Sequence, residues 1–306
     1  MSTPALQTSD GIRDLAQVWR KYEGDPHGAI RAITETAASA LKVSRASVWL
    51  LDEVAAGLTC IDLYEAGEHR HSSGTVLRAF DFPAYFAAML DEDTIAAEDA
   101  NADRRTSEFS ASYLRPLGIG ALLDAPIRTG LRLVGVLCHE HIGSSRPWTA
   151  AERKDGAFLA RLASLTLELK SRAMREALLA ATLESTGEGI LATDDARVIA
   201  FNQRFVEMWR VDGPTLRSFE AVCHHIASRS RTVAVRPALA GPVDTLVLDD
   251  GRVFERTNRP QMVADRVVGR VWGFRDVTAQ RRVEAALAEA EAARRDGDRG
   301  ADGGDP

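Results

Sequence analysis

The chain has 306 residues, a formal net charge of -6 and an apolar fraction of 45%, enough length and apolar material for two cored domains. The acidic balance excludes a nucleic-acid surface as the main business, because phosphate contacts need clustered Lys and Arg. Cys60, Cys138 and Cys223 lack the spacing of a disulfide framework or a zinc site, Met1 to Asp10 lacks the apolar core of a signal peptide, and no stretch suits a spanning helix, so a cytoplasmic protein with no membrane partner is expected.

In chain order, Ile12 to Lys21 and Gly28 to Leu41 carry apolar residues at helical spacing. Arg45 to Leu51 reads as a buried strand, Ala56-Gly57 as a turn and Leu58 to Tyr64 as the hairpin partner. Pro83 to Leu90 is a short helix and Thr94 to Ala100 a strand. Asn101 to Arg115 is a polar loop and helix that Pro116 ends. Ile119 to Ile127 and Leu131 to His139 form a second hairpin around Arg128-Thr129-Gly130. Thr149 and Glu152 have capping-box spacing and open a helix that runs to Leu183, about 50 Å long at 1.5 Å per residue. Phe158, Leu162, Leu165 and Leu169 repeat at spacings of four and three, lapse at Arg172 and Glu176, and return at Leu179 and Leu183. That heptad-like seam predicts a parallel homodimer, the other reading being that Phe158 to Leu169 packs on its own domain.

Helices, a hairpin, a helical middle, a second hairpin and a closing helix describe an α+β layer fold with an antiparallel sheet. The runs Leu114 to Ile119, Leu123-Asp124-Ala125-Pro126-Ile127, Gly135 to His141 and Arg146-Pro147-Trp148-Thr149 resemble the second half of a GAF domain, of the kind found in bacterial sensor kinases and cyclic-dinucleotide enzymes. The resemblance implies a small-molecule cavity near Phe80, Tyr85, Phe109 and Tyr113, with no ligand named. Cys138-His139-Glu140-His141 invites a metal reading, but Cys138 and His139 alternate across a strand and point to opposite faces, so packing roles are expected and no metal site. Cys60 and Cys138 as a redox couple, like that of GAF-fold methionine sulfoxide reductases, lack the cation or helix N-terminus that would activate a thiol. The aromatic and histidine-rich surroundings of a bilin pocket are not apparent either.

Beyond the long helix, Gly189 to Asp194 and Arg197 to Phe201 read as a hairpin. Asn202 is placed as N-cap of a helix with Phe205, Met208 and Trp209 on one face. Ser218 to Ser228 is a second helix. Leu246 to Leu248 pairs with Val253 to Thr257 across Asp249-Asp250-Gly251, and Gln261 to Val263 with Val267 to Phe274. Glu188-Gly189-Ile190, Asp194, Asn202, Phe205, Trp209, Asp250-Gly251 and Arg275-Asp276-Val277-Thr278 resemble a PAS domain, matching nearly end to end from Leu179 to Thr278. The resemblance implies that Asp276 and Thr278 are the D-x-T junction coupling the domain to an output helix. Physically, an acid and a hydroxyl there can hold the amides of the next helix while Asp276 pairs with a basic group on the sheet, and a simple helix cap would use the same residues. A flavin photoreceptor's Asn-Cys-Arg-Phe context is absent. Haem at His224 or His225 is the remaining coloured-cofactor reading, and an unliganded pocket is expected before it, the more so as a histidine pair on a short amphipathic helix is usually a surface or capping feature.

The expected organisation is a GAF-like domain over 11–170, a connector helix over 171–184, a PAS-like domain over 185–278, and an exit helix with a disordered tail over 279–306. With no kinase or cyclase motif in the chain, the expected function is a non-enzymatic sensory module of a bacterial two-component type system. Its partner would be a histidine kinase, response regulator or cyclase. The rivals are a thiol-based reductase and a non-sensing dimerisation scaffold.

Overall fold

The computed structural model describes residues 10–17, 19–52, 56–194, 197–231 and 243–301. The leader before Asp10, the turn at Asp195-Ala196, the loop holding Pro237 and Gly241-Pro242, and the tail from residue 302 lie outside the described residues. The chain divides into two compact units, residues 1–174 and 175–306.

In the first unit, α1 (Asp10–Gln17) precedes α2 (Pro26–Leu41). Pro26 opens α2, the Asp25 carboxylate accepts the Gly28 amide at 2.9 Å, and Lys42 closes it in the left-handed conformation. There follow β1 (Arg45–Asp52), β2 (Gly57–Glu65), β3 (Arg70–Ser72), β4 (Val76–Arg78), α3 (Pro83–Asp91), β5 (Ile95–Ala97), β6 (Ile119–Thr129), β7 (Arg132–Ile142) and the first part of α4 (Ala150–Glu184). The strands pair antiparallel in the order β3-β2-β1-β7-β6-β5, with β4 also on β2.

Strand alternation gives this sheet two buried faces. Ala46, Val48, Leu123, Ala125 and Leu137 pack against α1, α2 and α4. Trp49, Leu58, Cys60, Leu122, Val136 and Cys138 pack against α3 and the segment around Phe109 and Leu114. Cys138 and His139 therefore do face opposite cores, as their alternation predicts.

Three local readings change. β3 and β4 were not expected, since each is three residues long, Arg70-His71-Ser72 being wholly polar and Val76-Leu77-Arg78 too short to show an alternation. The predicted helix before Pro116 is instead a 3-10 turn at Ser107–Phe109 running into a π turn at Ser110–Leu114. In α4 the expected cap forms: the Glu152 carboxylate accepts the Thr149 amide at 2.8 Å and the Thr149 hydroxyl accepts the Glu152 amide at 3.2 Å. The face it buries, however, is Gly156, Leu159, Ala160 and Ala163. Phe158, Leu165 and Leu169 lie off that face and are exposed, and only Leu162 of the quartet packs on the core.

In the second unit, β8 (Gly189–Thr193), β9 (Val198–Phe201), α5 (Gln203–Trp209), α6 (Phe219–Ala227), β10 (Val243–Val247), β11 (Val253–Val263), β12 (Arg266–Asp276) and α7 (Thr278–Ala301) build an antiparallel sheet of order β10-β11-β12-β8-β9. Phe205, Trp209, Val222 and Ile226 from the two short helices cover Leu246, Phe254, Trp272 and Phe274 of the sheet. Val253 to Thr257 and Gln261 to Val263, read as separate strands, are one strand through Pro260. Proline is tolerated there because β10 pairs no further than Thr257, leaving that side of β11 without a ladder partner among the described residues. The exit helix also runs on past Arg294 to Ala301. Its alanine-rich body propagates through Gly297 and Gly300, each costing about 1 kcal/mol, and meets no proline within its bounds.

Candidate functional site

The candidate site lies in the first unit, on the α3 side of the sheet. Inward-facing side chains of β1, β6 and β7 form its floor, and α3 with the Phe109 to Leu114 turns forms its roof. Trp49, Leu77, Tyr85, Phe109, Tyr113, Leu114, Leu122, Asp124, Cys138 and Glu140 line a cavity of about 30 Å3. Of the four predicted pocket residues, Tyr85, Phe109 and Tyr113 line it. Phe80 does not: it stands on a 3-10 turn with its ring 92% exposed. Phe82, two residues on, stacks on Phe109 at 4.1 Å between ring centroids instead.

The polar groups form two hydrogen-bonded sets. Tyr85 donates to Asp124 Oδ2 at 2.6 Å, with Cys138 Sγ at 3.8 Å from the phenol oxygen. Tyr113 donates to Glu140 Oε1 at 2.8 Å. The Glu140 carboxylate pairs with the buried Arg45 at 2.8 Å, and Arg45 also reaches Glu65 at 3.2 Å. Asp124 Oδ1 is buried with no hydrogen-bond partner. Burial raises the Asp124 carboxyl to about 7, against the pull of the Tyr85 hydroxyl. Burial likewise pushes the Cys138 thiol well up and the Cys60 thiol to about 12. Asp124, Arg45 and Glu140 were not picked out as site residues from the sequence. Their signal was an ionisable residue amid strand apolars, as in Leu122-Leu123-Asp124-Ala125.

Across the sheet, His139 donates from Nδ1 to the Leu123 carbonyl at 2.6 Å and lies beneath Gly156 of α4, its pKa lowered to about 4 by burial. A separate open groove of about 410 Å3 runs past Asp25, His27, Arg31, Asp62 and His71. There His71 bridges Asp62 at 3.0 Å and Glu35 at 3.1 Å. His71, Asp62 and Glu35 partner one another there, whereas the cavity under α3 keeps a carboxylate oxygen without a hydrogen bond.

In the second unit, Asn202 caps α5 as predicted. Its Oδ1 accepts from the Phe205 and Ile190 amides at 3.0 and 2.8 Å, and its Nδ2 donates to the Leu183 and Glu188 carbonyls at 3.0 and 2.8 Å. Phe205 and Trp209 are fully buried. Asp276 Oδ1 accepts the Thr278 amide at 3.0 Å, and the Thr278 hydroxyl accepts the Val253 amide at 2.9 Å. The basic partner expected for Asp276 is replaced: its carboxylate turns into its own Asx turn, and the neighbouring Arg275 pairs with Glu188 at 3.3 Å. His225 meets the Trp209 carbonyl at 2.9 Å and His224 is exposed. A small second cavity is lined by Phe219, Cys223, Arg256 and Trp272 and by neither histidine. Among the described residues no cluster of three His, Cys, Asp or Glu could hold a metal ion, and no helix is long and apolar enough to cross a membrane.

A mixed sheet-and-helix sandwich with a polar-centred cavity under its helical roof defines the class of the first unit. The GAF domain model matches residues 25–167, and that segment is a GAF domain. Solved structures similar to it include the GAF domain of an Acinetobacter phosphoenolpyruvate-protein phosphotransferase, at 18% identity over 56% of this chain and 97% of that one, with a TM-score of 0.43. The blue-light absorbing form of the Thermosynechococcus elongatus PixJ GAF domain is 19% identical over 54% and 97%, with a TM-score of 0.43. Free methionine-R-sulfoxide reductase from Neisseria meningitidis, solved with its substrate, is 14% identical over 56% and 99%, with a TM-score of 0.42. No match was found among curated proteins.

Proposed function

We propose that the chain is a regulatory input module of a bacterial two-component type system, in which the GAF domain receives a small molecule or partner and the second, PAS-like unit relays the signal. The reading includes a cytoplasmic, non-enzymatic homodimer acting on a histidine kinase, response regulator or cyclase. GAF domains are typically sensory or regulatory, which supports the first half. The observation that carries the rest is on α4. While Leu159, Ala160 and Ala163 pack on the core, the seam residues Phe158, Leu165 and Leu169 are exposed, and so is Leu179 further along. An exposed apolar stripe at heptad spacing is what a second helix covers.

Coupling then follows from linkage: a ligand that favours one arrangement of the cavity roof and sheet shifts the register or crossing angle of paired helices. Sedimentation of the full chain at about 100 µM, an ordinary range for coiled-coil association, tests the dimer. A dimer that Leu165→Glu with Leu169→Glu converts to a folded monomer is expected, and a monomeric parent overturns the seam. The reductase reading is disfavoured because both Cys60 and Cys138 are buried thiols with raised pKa values, the opposite of an activated nucleophile.

A further inference from the structure

The cavity under α3 presents almost nothing but acceptors. The Tyr85 and Tyr113 hydroxyl protons are spent on Asp124 and Glu140, the Tyr113 oxygen accepts from Arg45 at 3.4 Å, and the weak Cys138 thiol is engaged with Tyr85 and Asp124, which leaves the Tyr85 oxygen and the carboxylates as acceptors. Arg45 is the one cation in ion-pair contact with the cluster among the described residues, and it is taken by Glu140 and Glu65. Asp124, 2% exposed, has no cationic partner; beyond the Tyr85 bond its carboxylate meets only the weak Cys138 thiol and the His139 amide, and Oδ1 makes no full hydrogen bond. A carboxylate in that position either keeps its proton or recruits a positive charge, because a buried ion left unpaired is strongly disfavoured. The rings of Trp49, Tyr85 and Phe109 that wall the space add attraction for a cation at their faces. They offer nothing to an anion.

Size narrows the class. The space of about 30 Å3 suits roughly two heavy atoms, since one water needs about 10–15 Å3 on the same scale. We propose that this cavity binds a small protonated amine, ammonium or methylammonium, whose N–H groups donate to Asp124 Oδ1. The inference rests on reading the cavity as the input site of the GAF domain.

The test is an amide NMR titration of the full chain, following Tyr85, Asp124 and Cys138 at constant ionic strength. Ammonium and methylammonium chloride are compared with potassium and tetramethylammonium chloride, and with a panel of small neutral and anionic metabolites. Saturable shifts with the two small amines, weakened about tenfold or more in Asp124→Asn, are expected. Tyr85→Phe, which frees Oδ2 without removing charge, should weaken binding less and serves if Asp124→Asn fails to fold. Equal shifts with potassium or tetramethylammonium overturn the proposal. Shifts of the same amides by a neutral or anionic compound, with none from amines, overturn the amine assignment and leave the cavity as the input site. No shift there from any compound removes both, whatever the oligomeric state.

Discussion

Gly156 on α4 lies directly over the imidazole of His139 on β7, where a Cβ would come within 3.2 Å of Cε1. The ring cannot easily give way, because Nδ1 is held by the Leu123 carbonyl at 2.6 Å and the residue is fully buried. Replacing glycine by alanine inside a helix gains about 1 kcal/mol, and overpacking a tight core costs about 1–3 kcal/mol. Gly156→Ala should therefore destabilise by about 1 kcal/mol in the parent and stabilise by a similar amount in a His139→Ala background. Denaturant melts of the four proteins measure the coupling, and additivity would show that the ring does not set the helix's approach.

His139 and Asp124 sit on adjacent strands, face opposite cores, and bend pH dependence in opposite directions. Asp124 is raised from 3.8 to about 7, so between those values the folded state holds a proton that the unfolded chain has released, and stability falls as pH rises. His139 is lowered from 6.5 to about 4, so the unfolded chain binds the extra proton and stability rises with pH across that window. The two slopes oppose each other from about 4 to 6.5, leaving Asp124 alone just below 7. In amine-free buffer, Asp124→Asn should gain on the parent steadily as pH climbs from 4 to 7. His139→Gln should gain as pH falls from 6.5 to 4. Thermal melts across that range decide it, and a constant difference for Asp124→Asn would mean that its proton is not held.

How much of this was legible in the sequence varies with the kind of signal. Long apolar runs such as Ile119 to Ile127, the Thr149 and Glu152 cap and the Asn202 cap carry their own local chemistry, and each forms as read. The short edge strands β3 and β4 are invisible because their pairing to β2 is a tertiary fact, with no alternation over three residues. Within the cavity, the family resemblance pointed to Tyr85, Phe109 and Tyr113 but misplaced Phe80, which the 3-10 turn at Ala79–Asp81 leaves exposed. The charge balance around Asp124 could not be read at all: it depends on Arg45, remote in sequence, being occupied by Glu140.

Thiol reactivity separates the regulatory reading from the reductase. Cys60 and Cys138 are 3% and 7% exposed, and burial raises both pKa values, whereas Cys223 is half-buried with its thiol raised less severely. Under native conditions a disulfide reagent should modify Cys223 first, with Cys60 and Cys138 following only on unfolding. Mass spectrometry of timed samples assigns the sites. Rapid native modification of Cys60 or Cys138 would restore the reductase to contention.

Asn202 concentrates more backbone satisfaction than any cap in the second unit, tying the end of α4, the start of β8 and the first turn of α5 through one amide. It is fully buried, so Asn202→Ala strands the Phe205 and Ile190 amides and the Leu183 and Glu188 carbonyls away from water. Loss of a cap costs about 1 kcal/mol and each buried orphan about 1–3 kcal/mol, so destabilisation of about 3 kcal/mol or more is expected. Asn202→Asp keeps both acceptor bonds yet points a carboxylate at the Leu183 and Glu188 carbonyls. It should be nearly as harmful at neutral pH and recover in part on acidification, when the protonated acid can donate to one of them. Hydrogen exchange at the Ile190 and Phe205 amides reads the effect locally: protection lost in the alanine variant and partly regained by the aspartate variant near pH 4 is the signature. Unchanged protection in both would show that the cap is redundant with the packing of Phe205 and Trp209.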